Sequence, residues 1–200
     1  MAPYSRSTAR LIAALATKER RDRGAAIIEF ALVAVVLFTL IFGLVEGGLL
    51  VRANNSVESS TDEAARRGAI AGDAAGADWM VLQQLRVRGL LAVADVNHVV
   101  VYKADSSSST PSETCRAGTP VAGECNVYGQ EDFVLASGVF NCSDTNLDAN
   151  WCPALRADSP DEFEYLGVWV DATHRGLTGI FGEIGIQSQS VLPIEGRGGI

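Results

Sequence analysis

One carboxylate stands inside the most apolar stretch of the chain. Glu29 is followed by a run from Phe30 to Val45 that carries no charge, and the small residues Gly24 and Ala25 precede it. A carboxylate within a membrane segment costs about 1 to 3 kcal/mol, depending on depth and partners, so it is rarely found there without a use. The chemistry that Glu29 offers is ion pairing in apolar surroundings. Glu46, just after the run, is a weaker candidate for the same role, because an acid near a membrane surface is usually solvated.

Four cysteines form the second group of residues with recognisable chemistry: Cys115, Cys125, Cys142 and Cys152. No Cys-x-x-Cys occurs among them and the chain has 2 histidines, which argues against a zinc site. Outside the cytoplasm, an even number of cysteines predicts disulfides, here with three possible pairings. We favour Cys115–Cys125 with Cys142–Cys152, because each closes a short loop rich in Gly, Pro, Ser and Asn. A nested arrangement through Cys125–Cys142 is the main alternative.

Other patterns give weaker signals. The segment Asp144-Thr-Asn146-Leu-Asp148 alternates oxygen-bearing side chains, as calcium loops do. It has Ala149 where an EF-hand needs glycine and Leu155 where the bidentate glutamate falls, so a polar turn is the simpler interpretation. His98 and His174 lack metal-ligand or triad partners at recognisable spacing, and we interpret both as structural. The chain contains no Gly-x-Ser-x-Gly, phosphate-binding glycine loop or His-Glu-x-x-His, so we predict neither catalysis nor a cofactor.

The charge distribution predicts how the chain meets a membrane. Residues 1–24 contain six basic and two acidic side chains, a net charge of +4, which leaves −12 for the rest of a chain of net charge −8. The apolar stretch, taken as residues 25–51, is long enough for one membrane-spanning helix in contact with lipid. Positive charge before it predicts a cytoplasmic N-terminus and an extracytoplasmic remainder. Because that remainder is acidic, we predict no binding to nucleic acid.

The periodicity of apolar residues predicts an α+β fold. A long N-terminal helix, with Gly47-Gly48 as a possible bend, continues into a small antiparallel sheet domain that is covered by a second helix and has disulfide-stapled loops. The predicted organisation is a basic leader (1–24), a transmembrane helix (25–51), a helix extension (52–72) and an outer domain (73–200). The individual elements are helices at 8–21, 25–71 and 77–93, and strands at 96–102, 133–140 (the weakest), 163–171 and 185–194.

Several of these residues carry a resemblance to a known family. Gly24-Ala-Ala-Ile-Ile-Glu29-Phe30 resembles the processing site of type IVb prepilins and pseudopilins of tight-adherence (Flp/Tad) systems, and more narrowly the opening of the TadE-like minor pilins. Further matching stretches are Gly43 to Gly48, Ala64 to Ala69, Gly179 to Gly182 and Ser190 to Glu195. The resemblance thus covers residues 24–72 and 163–195. Many relatives carry proline where this chain has Ala34, which predicts a straighter membrane helix here.

The resemblance implies a function in assembly. A prepilin peptidase would cut between Gly24 and Ala25, and the carboxylate of Glu29 would pair with the new N-terminal ammonium of a neighbouring helix, with Phe30 beside it. The implied partners are this peptidase, a major pilin, other minor pilins and a membrane assembly platform. The implied location is the cell membrane and, after assembly, an extracellular pilus. The plainer alternative for Glu29 is that it reaches the membrane surface, since it lies about a turn and a half from Arg23.

Three other functions remain open from the sequence. The chain could be a single-pass, unprocessed membrane-anchored protein with a binding or structural role outside the cytoplasm. It could be a secreted domain behind a signal peptide, although the apolar run is long for that and no convincing Ala-x-Ala site follows before Asn54. An ectoenzyme ranks last, because no residues that would carry its activity can be identified.

Overall fold

The computed structural model describes residues 6–143, 147–156, 164–179 and 182–195, with side chains from residue 24 onward. Its first element is α1 (Arg6–Ala71), one helix of 66 residues. The helices predicted at 8–21 and 25–71 are therefore one helix, consistent with the absence of proline between residues 6 and 71. The chain divides into two compact units, residues 1–47 and 48–200.

Glycines end both long helices. Gly72 follows α1 with a left-handed φ of +53°, and its N–H donates to the carbonyl oxygen of Gly68 at 2.9 Å. This is the usual glycine cap of a helix C-terminus. The second helix, α2 (Ala77–Val87), is followed by a 3-10 turn at Leu90–Ala92. It is shorter than the predicted helix 77–93, because Gly89 adopts a φ of +78° and breaks it.

Four antiparallel strands form one sheet in the order β2-β1-β3-β4. They are β1 (Asp95–Ala104), β2 (Cys125–Tyr128), β3 (Tyr165–Arg175) and β4 (Glu183–Pro193). Between β1 and β2 lies the single helical turn α3 (Glu113–Arg116). The strands predicted at 96–102, 163–171 and 185–194 correspond to β1, β3 and β4, and the predicted α+β class is confirmed. Phe163, the first residue of one of these predictions, lies outside the described residues.

The strand predicted at 133–140 is wrong. The segment forms two 3-10 turns, Gln130–Val134 and Ser137–Val139. Side chains of α2 occupy its carbonyl groups: Trp79 Nε1 donates to the carbonyl of Leu135 at 3.0 Å and Gln83 Nε2 to that of Phe133 at 2.9 Å. Backbone acceptors bound in this way are not available to a neighbouring strand. The edge position belongs instead to β2, a four-residue strand that the sequence pattern did not reveal.

The sheet separates two apolar clusters. The larger cluster joins the sheet to α2 and to the outer part of α1, and includes Val57, Ala64, Val81, Leu82, Leu85, Val99, Val101, Leu166, Val168 and Val170. The smaller one lies on the opposite face and includes Val100, Tyr102, Trp169 and the cysteines of the first disulfide. Small residues on α1 allow the close approach: a Cβ on Gly68 would collide with Val81 and crowd Leu166. The C-terminal part of α1 therefore belongs to the core of the unit formed by residues 48–200.

Candidate functional site

The first candidate site is the apolar surface of α1 after Gly24. Every large apolar side chain from Ile27 to Val45 is exposed, and Phe30 is 74 % exposed. The described helix Gly24–Ala71 is long and apolar enough to cross a membrane, and none of its most apolar window is buried by the rest of the protein. Since exposed apolar area of this extent is costly in water, the helix is compatible with a single N-terminal membrane anchor.

The residues predicted for processing and pairing lie together on this exposed segment. Gly24, Ala25, Glu29 and Phe30 are all exposed and helical. Glu29 lies four residues after Ala25, so both project from the same side of α1, one turn apart. Glu29 is also the only charged residue between Gly24 and Val45. Within the described chain the segment therefore presents an isolated carboxylate on an otherwise apolar surface.

Glu46, the second predicted assembly residue, has different surroundings. Its side chain is 4 % exposed, whereas the neighbouring Val45 is 50 % exposed. It is therefore not the solvated surface acid that its position in the sequence suggested. Its role in assembly stays a prediction.

The cysteines form the pairing favoured from the sequence. Cys115 is bonded to Cys125 and Cys142 to Cys152, each across ten residues. The first disulfide is buried against the sheet beside Tyr102 and Trp169. The second closes the loop that follows the 3-10 turns. A closed loop of this length stabilises a fold by about 2 to 3 kcal/mol, mainly by restricting the unfolded chain. Both disulfides therefore constrain segments with little regular secondary structure.

A buried polar network holds the second disulfide loop against α2. Asp78 and Arg156 form an ion pair at 2.7 Å, and both side chains are fully buried. Asp78 also accepts hydrogen bonds from the Tyr128 hydroxyl at 2.6 Å and from Asn126 Nδ2 at 2.8 Å. The guanidinium of Arg156 lies 4.0 Å from the ring centroid of Trp151, close enough for a cation–π contact. These contacts connect α2, β2 and the loop in one network.

The network raises the pKa of its tyrosine. Burial, reinforced by the nearby Asp78 carboxylate, raises the pKa of Tyr128 well above its usual value. The phenol therefore stays protonated and serves as a permanent hydrogen-bond donor to Asp78. Sequence reasoning missed this network, because Tyr128 and Arg156 lie 50 and 78 residues after Asp78 and no motif connects them. The one available signal was an aspartate among the apolar positions of a predicted helix.

The candidate calcium loop lies partly outside the described residues, at 144–146. Its last member, Asp148, is buried and its Oδ1 accepts a hydrogen bond from the Cys142 N–H at 2.9 Å. Burial raises the pKa of Asp148 above its ordinary value. No group of histidine, cysteine or acidic side chains suited to a metal occurs in the part of the chain that the structure describes.

The two histidines have the following neighbours. His98 Nε2 lies 2.8 Å from the carbonyl oxygen of Arg116, and its ring is 5.3 Å from that of Trp169. These contacts fix the turn α3 against the sheet. His174, on β3, is buried and lies beside the carbonyl of Val93. The contacts of His98 with Arg116 and Trp169 are consistent with its interpretation as a structural residue.

Comparison with known proteins supports the resemblance seen in the sequence. Residues 24–66 match the family model described as TadE-like protein. No curated protein and no solved structure matches the chain. The matched segment contains the exposed apolar surface, Glu29 and α1 as far as residue 66. The match confirms the predicted resemblance to TadE-like proteins, and that family suggests an association with a tight-adherence pilus.

Proposed function

We propose that this chain is the precursor of a minor pilin or pseudopilin of a tight-adherence pilus. A prepilin peptidase cleaves it after Gly24, and the mature chain takes part in initiating, assembling or capping the filament. The observation that carries this proposal is the exposed apolar helix surface with Glu29 as its isolated carboxylate. That surface lies inside the segment that matches the TadE-like family.

Cleavage would create the positive charge that can pair with the Glu29 carboxylate. A cut between Gly24 and Ala25 leaves an ammonium at Ala25, one turn before Glu29 on the same side of the helix. A neighbouring helix displaced along the axis by four residues, about 6 Å, would bring its own ammonium level with this carboxylate. In an apolar bundle two unpaired charges are costly, whereas a hydrogen-bonded pair is tolerated. Assembly would therefore favour one axial register.

The outer domain suits a minor subunit. Two disulfides and a buried ion-pair network stabilise it, and the chain after Gly24 carries a net charge of −12. A domain of this size and charge would crowd and repel its copies in a tightly packed fibre, but it is acceptable in a subunit that is present once or a few times. We propose leader, membrane helix, helix extension and outer domain at residues 1–24, 25–51, 52–72 and 73–200. The proposed partners are membrane lipid, the peptidase, major and minor pilins and the assembly platform.

The first test is the N-terminus of the chain after co-expression with a prepilin peptidase, measured by intact mass. We expect a product that begins at Ala25 and that disappears in the variant Gly24→Leu. Gly43→Leu is the matched control: a Cβ at either glycine meets no atom within 4 Å, so neither change disturbs the described fold. A chain that keeps its leader would contradict processing and favour the unprocessed membrane-anchored protein. A start beyond Gly48 would instead indicate a secreted domain.

The second test separates cleavage from assembly. We expect Glu29→Gln to be cleaved normally but to be recovered with the major pilin in much smaller amounts, because the neutral side chain cannot pair with an ammonium. Glu58→Gln is the control, since Glu58 is an exposed acid on the same helix outside the apolar run. The measurement is the ratio of this chain to major pilin in sheared filaments and in crosslinked membranes. Equal ratios for the two variants would refute the pairing mechanism.

A further inference from the structure

A pocket of about 300 Å³ opens beside the start of the outer unit. Its polar lining residues are Arg52, His174 and Arg175, and its apolar lining is Leu49, Ala53, Ala92, Val93 and Leu177. Leu49 belongs to the proposed membrane segment 25–51, and Arg52 is the first basic residue after it. The pocket therefore lies where α1 leaves the apolar part of the membrane and where lipid headgroups would be.

The two arginines of the pocket differ in their electrostatic surroundings. Arg175 Nε lies 3.1 Å from the Asp95 carboxylate and 3.2 Å from that of Glu183, so its charge is balanced by two acidic side chains. Arg52 is exposed and forms no ion pair with any acidic side chain that the structure describes. Arg52 is thus the cation that is available for a negatively charged group from outside the protein.

His174 provides a second, independent indication of a ligand. Its side chain is 8 % exposed, and Nδ1 lies 3.4 Å from the carbonyl oxygen of Val93. A carbonyl only accepts, so Nδ1 carries the proton and Nε2 is left with an acceptor lone pair in the neutral ring. Nε2 is buried and has no hydrogen-bond partner among the described residues. Such a buried, unsatisfied group is unfavourable unless a ligand donates to it.

We propose that this pocket binds the headgroup of an anionic glycerophospholipid in the outer leaflet, with phosphatidylglycerol as the best fit. Arg52 binds the phosphate, and a glycerol hydroxyl donates to His174 Nε2. Leu49 and Leu177 pack against the glycerol and the upper part of the acyl chains. The pocket would fix the depth and rotation of the outer domain on the membrane before assembly. The inference rests on the membrane placement in the proposed function.

The test is native mass spectrometry of the full chain, inserted into vesicles of phosphatidylglycerol and phosphatidylcholine and then released with detergent. We expect the wild-type chain to retain phosphatidylglycerol preferentially. Arg52→Gln should lower that preference about fivefold, as expected for one basic residue near an anionic lipid surface. Arg67→Gln is the control, because it removes the same charge from an exposed position on the same helix about 22 Å farther along. His174→Phe should also lower the preference, while Trp fluorescence confirms that each variant is folded.

The outcomes are distinguishable. Retention of phosphatidylglycerol by Arg52→Gln at the wild-type level would overturn the proposal. Competition by free glycerol phosphate that matches competition by the lipid would assign the pocket to a soluble anion and overturn the lipid as occupant. A wild-type chain that inserts into vesicles but shows no preference for phosphatidylglycerol would refute lipid binding in the pocket and leave the proposed function standing. A chain that does not insert would refute the membrane placement, and with it both proposals.

Discussion

The ion pair between Asp78 and Arg156 predicts a large loss of stability in the variant Arg156→Met. Methionine keeps much of the volume and the apolar stem of arginine but leaves the Asp78 carboxylate buried without its cation. Tyr128 and Asn126 would still donate hydrogen bonds to it, yet neither supplies a charge. The expected result is a folded protein whose unit of residues 48–200 unfolds at a much lower temperature.

The magnitude follows from the geometry. The pair is 2.7 Å long and both side chains are 0 % exposed, a setting in which removal of one partner costs about 3 to 5 kcal/mol. Loss of the guanidinium from the Trp151 ring at 4.0 Å adds about 1 kcal/mol. Since 1 kcal/mol corresponds to about 2 to 4 °C in a domain of this size, Tm should fall by roughly 10 to 20 °C. The double variant Asp78→Asn with Arg156→Met removes both charges and should recover much of this loss.

Tryptophan fluorescence of the full chain in detergent is the appropriate assay. The chain has 3 tryptophans, Trp79, Trp151 and Trp169, and all of them lie in the unit of residues 48–200. The fluorescence signal therefore does not report melting of the apolar part of α1. We compare Tm values and not fluorescence amplitudes, because Trp151 contacts the substituted residue. A loss below about 1 kcal/mol in Arg156→Met would refute the reasoning. A double variant as unstable as the single one would show that the loss comes from packing and not from an unpaired charge.

Two further predictions use the same assay. Because burial raises the pKa of Asp148, the folded state binds a proton more tightly than the unfolded state, and the ionised carboxylate destabilises the domain at neutral pH. The variant Asp148→Asn, whose amide oxygen can still accept the hydrogen bond from the Cys142 N–H, should therefore have a higher Tm than the wild-type protein near pH 7. This difference in Tm should vanish as the pH falls through the raised pKa of Asp148. A difference that grows in acid would contradict this prediction. Gly167→Ala should lower the free energy of unfolding by about 1 to 3 kcal/mol, because its Cβ would overlap the buried ring of Tyr102. Gly185→Ala is the control, since its Cβ meets no atom within 4 Å and its stability should be nearly unchanged. Equal Tm values for the two variants would exclude the overlap.

Local patterns were sufficient for much of the fold. Strand β4 follows from a run of alternating apolar residues, since a half-buried strand has a period of two. Strand β1 follows from a run of β-branched residues bounded by Asp105 and the serines at 106–109. The favoured disulfide pairing follows from short, loop-rich spacings. The strand prediction for 133–140 was wrong, because it used only the apolar residues of the segment. The side chains of Trp79 and Gln83, some fifty residues earlier, bind its carbonyl groups. The end of α2 at Val87 depended on the left-handed conformation of Gly89, which the apolar periodicity did not anticipate.

The amino-acid sequence was sufficient to predict the apolar helix, the isolated Glu29, the disulfide-forming cysteines and the resemblance to TadE-like proteins. Each of these is a property of residues that are close along the chain, so spacing and composition are enough to reveal it. Folding was needed to pair Asp78 with Arg156 and to place Arg52 and His174 around one pocket. Such pairs are separated by 78 and 122 residues, and only the packing of α1 and α2 against the sheet brings them together.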